Sequence, residues 1–342
     1  EEEMKVLVKE FAPDHAYAIL MEPSSGAIKA VAQFPQFNPN DSKTMQAENL
    51  PNHALYKSYE PGSIMKGISI GLALENRVVN LESVFYCERG QWYYGGRRLR
   101  DTRPYSELTV AEIMQKSSNI GTAKIALDMG EEMLYKGLAS FGFGRPSGLG
   151  FYPANGKKRI FRGESPGMFK HIKSWDTLTV TRMPIGQGLS ATPWQMIQAW
   201  SALANNGIIM QPYIIDKIVY PDNTVQASIP RVKSVPLSRE ACALTVESLK
   251  LVTEQGGTGR RAAVEGYKVA GKTGTAQIWV PADPVKKIPG HYSNRKHFSS
   301  FVGFAPADNP AFILLVSAEN PKGPFRTGGV VCGPTFSRIA KR

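Results

Sequence analysis

Apolar residues recur with two different spacings along the chain, and these spacings predict where strands and helices lie. Short apolar runs near both ends are typical of β-strands, whereas longer apolar segments in the middle are typical of helices. The predicted strands cover residues 16–21, 27–32, 264–277, 298–304 and 312–318. The predicted helices cover residues 4–13, 63–76, 109–127, 132–140 and 193–206.

Turn-forming residues connect the predicted strands. Residues 22–26 join the first two strands into a hairpin over about 16–32, and residues 308–310 separate the last two strands. A helical insert of about 57–260 divides this hairpin from the C-terminal strands of about 264–318. The pattern predicts an α+β fold, in which an antiparallel five-stranded sheet is built from both chain ends and carries a large helical insert.

Composition narrows the possible partners. With 42% apolar and 20% charged residues, the 342-residue chain is ordinary for a globular protein of one or two domains. Its longest apolar run, residues 311–316, is too short to span a bilayer, which needs roughly 20 residues.

The net charge of +12 includes basic clusters at 97–98, 157–159, 260–261 and 286–287. Solvated loops are the ordinary interpretation, and attraction to an anionic lipid surface is the alternative. Because the basic residues are dispersed, no nucleic acid partner is expected.

The cysteines do not indicate a metal site. Cys87, Cys242 and Cys332 have no CxxC spacing and no neighbouring histidines. Small buried thiols are therefore expected, with one disulfide as the alternative in an oxidising compartment.

The first candidate catalytic motif is Ser63-Ile64-Met65-Lys66. Pro61 and Gly62 predict a tight turn, so Ser63 is expected at a helix start, with its hydroxyl exposed and the first N–H groups free. Lys66 lies nearly one helical turn later and can act as the base that activates Ser63. An N-cap serine with a surface lysine is the alternative, but this helix is apolar nearly all round, which indicates a buried lysine. Ser293-Asn294-Arg295-Lys296 has the same spacing without an apolar helix.

The second motif, Ser117-Ser118-Asn119, interrupts another apolar segment. Serine and asparagine are weak helix formers, so three small polar residues indicate a break that faces a cavity. Ser117 can relay a proton to the leaving group, and Asn119 can hydrogen-bond an amide of the substrate. An ordinary connection between two helices is the alternative.

The third motif, Lys272-Thr273-Gly274-Thr275, follows a strand-like segment. Its lysine and threonine hydroxyls can bind a carboxylate, and glycine in a strand lets another chain approach closely. The N–H of Thr275 can serve as an oxyanion donor beside that of Ser63. A polar edge strand without catalytic function is the alternative.

Together, and in this order, the motifs resemble those of the transpeptidase domain of class B penicillin-binding proteins, most closely the division-specific peptidoglycan D,D-transpeptidases. The resemblance covers nearly the whole chain and implies one domain over residues 1–342 with the fold shared by penicillin-binding proteins and serine β-lactamases. The supporting stretches are Glu60-Pro61-Gly62-Ser63, Leu108-Thr109-Val110, Phe141-Gly142-Phe143-Gly144, Gly186-Gln187-Gly188-Leu189-Ser190-Ala191-Thr192-Pro193, Val269-Ala270-Gly271-Lys272 and Ser300-Phe301-Val302-Gly303-Phe304-Ala305-Pro306.

The resemblance also implies an activity. Ser63, Lys66 and Ser117 would be catalytic, and Asn119 and residues 272–275 would bind substrate, without a metal or cofactor. The substrates would be peptidoglycan stem peptides, and β-lactam antibiotics would acylate Ser63. The protein would work at the extracytoplasmic, periplasmic face of the bacterial cytoplasmic membrane, anchored by a segment outside this chain. A membrane glycosyltransferase and divisome proteins would be its partners.

Several alternatives stay open at this point. A serine β-lactamase of class A would need a further glutamate, yet no Glu-x-x-Leu-Asn stretch lies between the second and third motifs. A D,D-carboxypeptidase differs only in using water as acceptor, and a non-catalytic β-lactam sensor or cell-wall scaffold is an alternative of another class. Relatives often carry threonine after the reactive serine, so the bulkier Ile64 is expected to narrow one wall of the site or to alter the fit of a β-lactam.

Overall fold

The computed structural model describes residues 1–285 and 288–342, so the basic pair Lys286 and Lys287 lies outside the described residues. The helices are α1 (Glu2–Phe11), α2 (His53–Tyr56), α3 (Met65–Glu75), α4 (Val110–Lys116), α5 (Asn119–Met129), α6 (Glu131–Ser140), α7 (Thr179–Arg182), α8 (Pro193–Ala204), α9 (Arg239–Thr253), α10 (Gly328–Val331) and α11 (Gly333–Ala340). The strands are β1 (His15–Met21), β2 (Ile28–Phe34), β3 (Val84–Tyr86), β4 (Gln91–Tyr94), β5 (Arg97–Arg100), β6 (Glu107–Thr109), β7 (Gly150–Phe151), β8 (Arg159–Ile160), β9 (Ile209–Met210), β10 (Lys217–Val219), β11 (Val225–Ala227), β12 (Val232–Ser234), β13 (Ala270–Val280), β14 (His291–Ala305) and β15 (Phe312–Glu319).

One five-stranded antiparallel sheet organises the chain, in the order β13–β14–β15–β1–β2. β1 pairs with β15, so Ile19 near the N-terminus lies opposite Leu315 near the C-terminus. β13 is left at one edge of the sheet. The predicted α+β fold, with a five-stranded antiparallel sheet from both chain ends and helices between them, is confirmed.

Helices cover both faces of the sheet. Ile313 and Leu315 belong to a core shared with α3, α8 and α9, whereas Leu314 and Val316 belong to a second core shared with α1 and α11. Side chains alternate between the faces of a strand, so both faces of β15 are buried. This burial explains why β15 reads as a continuous apolar run in the sequence.

The break predicted within the apolar segment 109–127 is confirmed, because Ser117 adopts a left-handed conformation (φ 61°) that ends α4 before α5 begins. Other predicted boundaries are wrong. The strand predicted from residue 264 begins at Ala270, because the Tyr267 N–H donates to the Val264 carbonyl in a turn. The first helix ends at Phe11, two residues before the predicted end, and β14 begins at His291, seven residues before the predicted start.

The insert also contains short antiparallel strand pairs that the sequence patterns do not predict: β3–β6, β4–β5, β7–β8, β9–β12 and β10–β11. Strands this short show no clear alternation of apolar and polar residues. The thiols of Cys87, Cys242 and Cys332 are free and buried, as predicted. Each helix of the described chain is too short or too polar to cross a bilayer.

Candidate active site

Ser63 lies at the entry to α3. A 3-10 turn, Gly62–Ile64, precedes the α-helix, which begins at Met65 rather than at the serine itself. Ser63 is partly exposed, and neither its hydroxyl nor its N–H has a hydrogen-bond partner among residues 1–285 and 288–342. Both groups therefore remain available to a ligand, as expected for the first turn of a helix.

Two glycines allow backbone to approach the Ser63 turn from both sides. A Cβ at Gly186 (φ 79°) would lie 2.1 Å from the Gly62 carbonyl oxygen. The Gly62 N–H donates to the Gly186 carbonyl at 3.1 Å. On the other side, a Cβ at Gly274 of β13 would lie 3.1 Å from the Pro61 carbonyl oxygen. These contacts hold the Ser63 turn between β13 and the segment that follows α7.

Lys66 is fully buried in the first turn of α3, which agrees with the prediction of a buried lysine. Its Nζ donates to the Ser117 carbonyl at 2.6 Å, to Asn119 Oδ1 at 2.7 Å and to Ser117 Oγ at 3.2 Å. Burial lowers the pKa of Lys66 to about 7, although the negative charge of Asp101 acts in the opposite direction. A substantial fraction of Lys66 is therefore neutral near pH 7.

Ser117 links the two lysines of the site. Its Oγ accepts a hydrogen bond from Lys272 Nζ at 2.9 Å as well as the weaker one from Lys66. Lys272 is fully buried, and burial together with the positive charge of Lys66 lowers the pKa of Lys272 well below its usual value. Because both lysines donate to Ser117 Oγ, the hydroxyl proton of Ser117 is free to point elsewhere.

Asp101 supports the second motif and was not predicted from the sequence. Its carboxylate accepts hydrogen bonds from Ser118 Oγ at 2.6 Å, from the Asn119 N–H at 2.5 Å and from the Ile120 N–H at 3.1 Å. A carboxylate at a helix N-terminus also interacts favourably with the helix dipole. Asp101 therefore fixes the start of α5, and the neighbouring Arg100 carbonyl accepts from Asn119 Nδ2 at 2.7 Å.

We expect Asp101→Asn to destabilise the protein and to change its pH dependence. Loss of the charge at the start of α5 should lower the free energy of unfolding by about 1 kcal/mol. The Asp101 charge also raises the pKa of Lys66, so its removal should move the acidic limb of the pH–rate profile for the expected acylation of Ser63 to lower pH. Urea unfolding and acylation rates from pH 5 to 9 measure the two effects.

Asp128→Asn is the matched control for this prediction, because Asp128 lies exposed near the other end of α5. Asp128→Asn should leave the acidic limb of the pH–rate profile for acylation at the same pH as in the unsubstituted protein. If the acidic limb of this profile did not move in Asp101→Asn, the result would contradict the effect of the Asp101 charge on the pKa of Lys66.

The third motif lies on the edge strand β13. Thr273 Oγ1 is hydrogen-bonded to Thr258 Oγ1 at 2.9 Å and lies 3.5 Å from Lys272 Nζ. The Thr275 side chain is exposed, and its Oγ1 accepts from the Gly328 N–H at 3.1 Å. Thr258, in the loop after α9, is a second residue of the site that sequence reasoning missed.

The structure separates the remaining sequence candidates from this cluster. The Ile64 side chain is fully buried, and its Cγ2 would lie 3.0 Å from a Cβ at Gly274. Ile64 therefore contacts β13 without being exposed, and its effect on the width of the site stays a prediction. Ser293 lies in strand β14, where its Oγ accepts from the Lys296 N–H at 2.9 Å. The second Ser-x-x-Lys spacing therefore does not form a helical turn.

The fold brings the Ser-x-x-Lys, Ser-x-Asn and Lys-Thr-Gly motifs together in one site. This set of motifs is similar to the signature of penicillin-binding proteins and class A β-lactamases. Residues 16–341 match the family described as the penicillin binding protein transpeptidase domain, and the chain belongs to that family.

Individual relatives agree with this assignment. The chain is 33% identical over 349 residues to stage V sporulation protein D of Bacillus subtilis, covering 100% of this chain and 51% of that protein. It is 33% identical to peptidoglycan D,D-transpeptidase FtsI of Buchnera aphidicola, covering 98% of this chain and 54% of the relative. The chain thus spans about half the length of these curated relatives.

A solved structure shows the same fold. Penicillin-binding protein 3 of Mycobacterium tuberculosis superposes with a TM-score of 0.87 at 28% sequence identity, covering 99% of this chain and 75% of that chain. The same protein has been solved in complex with aztreonam and in complex with ampicillin.

Proposed function

We propose that this domain is a peptidoglycan D,D-transpeptidase that cross-links stem peptides through an acyl-enzyme on Ser63. The observation that carries the proposal is the buried Lys66, held one turn from Ser63 with its pKa lowered to about 7. A neutral amine at that position can take the proton of a serine hydroxyl at neutral pH. Family membership and the names of the relatives support the same activity.

Acylation follows from the hydrogen bonds around Lys66. The neutral amine keeps two N–H donors, which suit the Ser117 carbonyl and Asn119 Oδ1, and its lone pair accepts the Ser63 proton. The Ser63 oxygen then attacks the carbonyl of the penultimate D-Ala. The N–H groups of Ser63 and Thr275 stabilise the oxyanion that forms.

Release of the terminal D-Ala needs a proton on its amine. The Ser117 hydroxyl can supply it, since both lysines donate to Ser117 Oγ and leave its own proton available. Lys66 returns the lost proton to Ser117, so both side chains regain their initial protonation while Ser63 stays acylated. Lys272, Thr273 and Thr275 bind the carboxylate of the departing D-Ala.

In the second step, an amine of a neighbouring stem peptide attacks the Ser63 ester and forms the cross-link. The ester C–O bond breaks, and Lys66 takes the proton of the attacking amine and passes it to Ser63 Oγ. A β-lactam imitates the D-Ala-D-Ala end and leaves an acyl-enzyme that no amine resolves. From the resemblance of its motifs, we also propose that the protein works at the extracytoplasmic face of the bacterial cytoplasmic membrane. A membrane glycosyltransferase and cell-division proteins are its proposed partners.

We expect a chromogenic cephalosporin in excess to give one equivalent of product as a burst, followed by almost no turnover. Hydrolysis needs a positioned water, and no glutamate motif for that purpose lies between the second and third motifs. Stopped-flow absorbance measures the burst. With a stem pentapeptide and a D-amino acid acceptor, mass spectrometry should then detect the cross-linked or exchanged product.

The rival functions predict different results. Sustained cephalosporin turnover would identify a β-lactamase and overturn the proposal. Release of D-Ala with water as the only acceptor would identify a carboxypeptidase. Acylation by the cephalosporin without reaction of any stem peptide would identify a sensor.

A further inference from the structure

Arg182, the last residue of α7, carries a charge that no ion pair with a described residue balances. Its side chain is partly buried, and burial lowers the pKa of the guanidinium. A guanidinium nevertheless stays protonated in proteins and has five N–H donors. Its one side-chain hydrogen bond within the described chain runs from Nη2 to the Arg98 carbonyl at 3.4 Å. A partly buried cation of this kind is costly unless an anion pairs with it.

The backbone of Arg182 is connected to the Ser63 turn. The Arg182 carbonyl accepts from the Gln187 N–H at 3.0 Å, which closes the turn that contains Gly186. The Gly186 carbonyl accepts from the N–H of Gly62, the residue before Ser63. Arg182 is therefore held in a fixed relation to the reactive serine.

The guanidinium also reaches the strand that supports Asn119. Arg98, which accepts its hydrogen bond, lies two residues before Arg100 on β5, and the Arg100 carbonyl accepts from Asn119 Nδ2. Two residues of a strand span roughly 7 Å. The Arg182 guanidinium therefore lies about the length of a dipeptide away from Asn119, the residue that is proposed to bind the substrate amide.

On its other side, Arg182 is close enough to Tyr292 of β14 for its charge to affect the pKa of the tyrosine hydroxyl. Tyr292 lies opposite Trp279, four residues beyond Thr275 on β13. Lys272 lies three residues before Thr275 on the same strand. Arg182 and Lys272 thus lie towards opposite ends of β13.

The surroundings of Arg182 favour an anion. The neighbouring β4–β5 hairpin presents exposed Arg98 and Arg100. The carboxylate of Glu60 is already hydrogen-bonded to the Gly188 N–H at 2.8 Å and to the Tyr292 hydroxyl at 2.9 Å. Glu60 makes no ion pair with Arg182 in the part of the chain that the structure describes.

We propose that Arg182 binds a carboxylate of the donor stem peptide upstream of its D-Ala-D-Ala end. The inference rests on the proposed function, in which Lys272 takes the terminal carboxylate and the peptide runs along β13 past Ser63. Isoglutamate and, in some stems, the diamino acid before D-Ala-D-Ala each carry a further carboxylate. Arg182 then helps to select stem peptides that keep this negative charge.

Stem pentapeptides that differ by one carboxylate test the inference. Isoglutamate is used with a free or an amidated α-carboxyl, and the third residue is diaminopimelate or lysine. Arg182→Gln should lower kcat/KM for D-Ala release from the fully carboxylated donor about 10- to 100-fold, as expected for loss of a charged hydrogen bond. For donors that lack the carboxylate bound by Arg182, the substitution should change kcat/KM by less than about twofold.

Arg97→Gln is the matched control, because Arg97 is exposed on the adjacent hairpin. It should change kcat/KM for every donor by less than about twofold, as is usual for an exposed charge. Arg182→Lys should restore part of the loss, and Arg182→Gln should react with benzylpenicillin at the normal rate.

Two results would overturn the inference: an equal loss with all donors and with benzylpenicillin, or no loss with any donor. Failure of the proposed function would appear separately, as no reaction of the unsubstituted protein with any donor despite acylation by benzylpenicillin. That result would overturn the Arg182 inference as well.

Discussion

Ser63→Ala is expected to abolish covalent labelling by penicillin. The hydroxyl of Ser63 is partly exposed and beside a free N–H, and Lys66 lies one turn away in the buried core. Loss of a serine nucleophile elsewhere lowers turnover roughly 10⁶-fold, so acylation should fall below detection. Intact-protein mass spectrometry should show one added equivalent in the unsubstituted protein and none in the variant, and peptide mapping should place the adduct on Ser63.

Ser293→Ala is the matched control, because Ser293 has the same spacing to a lysine but lies in β14. It should label at the normal rate. Undiminished labelling of Ser63→Ala, or an adduct mapped to another residue, would show that the nucleophile is wrongly assigned.

Lys66→Ala is expected to slow acylation by ~10²–10⁴, the effect typical of losing a general base. In the unsubstituted protein the rate constant should rise between about pH 6 and 8, with a midpoint near the Lys66 pKa of about 7, and should level off above it. The sign follows from the chemistry, because protonated Lys66 cannot accept the Ser63 proton at low pH. Stopped-flow acylation over a range of pH and drug concentration provides both quantities.

Lys66→Arg separates base chemistry from charge, since arginine keeps a cation but cannot act as the base. It should be as inactive as Lys66→Ala. Lys272→Ala should instead lose much of its acylation efficiency through weaker binding of the drug carboxylate. If Lys66→Ala and Lys272→Ala both weakened drug binding equally and left the acylation rate constant unchanged, the separate roles of the two lysines in base catalysis and in carboxylate binding would be contradicted.

The sheet could be predicted because its strands carry strong signals. Residues 312–318 read as a continuous apolar run, and β15 is buried on both faces. The break at Ser117 could also be predicted, since small polar residues interrupt an apolar helix. What the sequence could not provide was the left-handed conformation of Ser117, by which its side chain meets both lysines.

Asp101 and Thr258 were missed because each acts through distant contacts. Asp101 follows β5, a strand of four residues, and reaches the second motif only through the tertiary fold. One signal was available: Gly95 and Gly96 both adopt positive φ between β4 and β5, and a Gly-Gly pair between short strands is typical of a hairpin. Recognising that hairpin would have placed Asp101 at the end of an ordered strand, but not beside Asn119.

The pairing of β1 with β15 has a consequence for biosynthesis. The ribosome synthesises β1 before its partner strand Phe312–Glu319, which follows almost three hundred residues later. All three sequence motifs are complete by Thr275, yet the sheet that holds them together is not. Such long-range pairing is typical of slowly folding chains. A nascent chain that ended at residue 311 would therefore contain every motif and still lack the assembled sheet, so the proposed reactivity towards β-lactams is expected only after β15 has been synthesised.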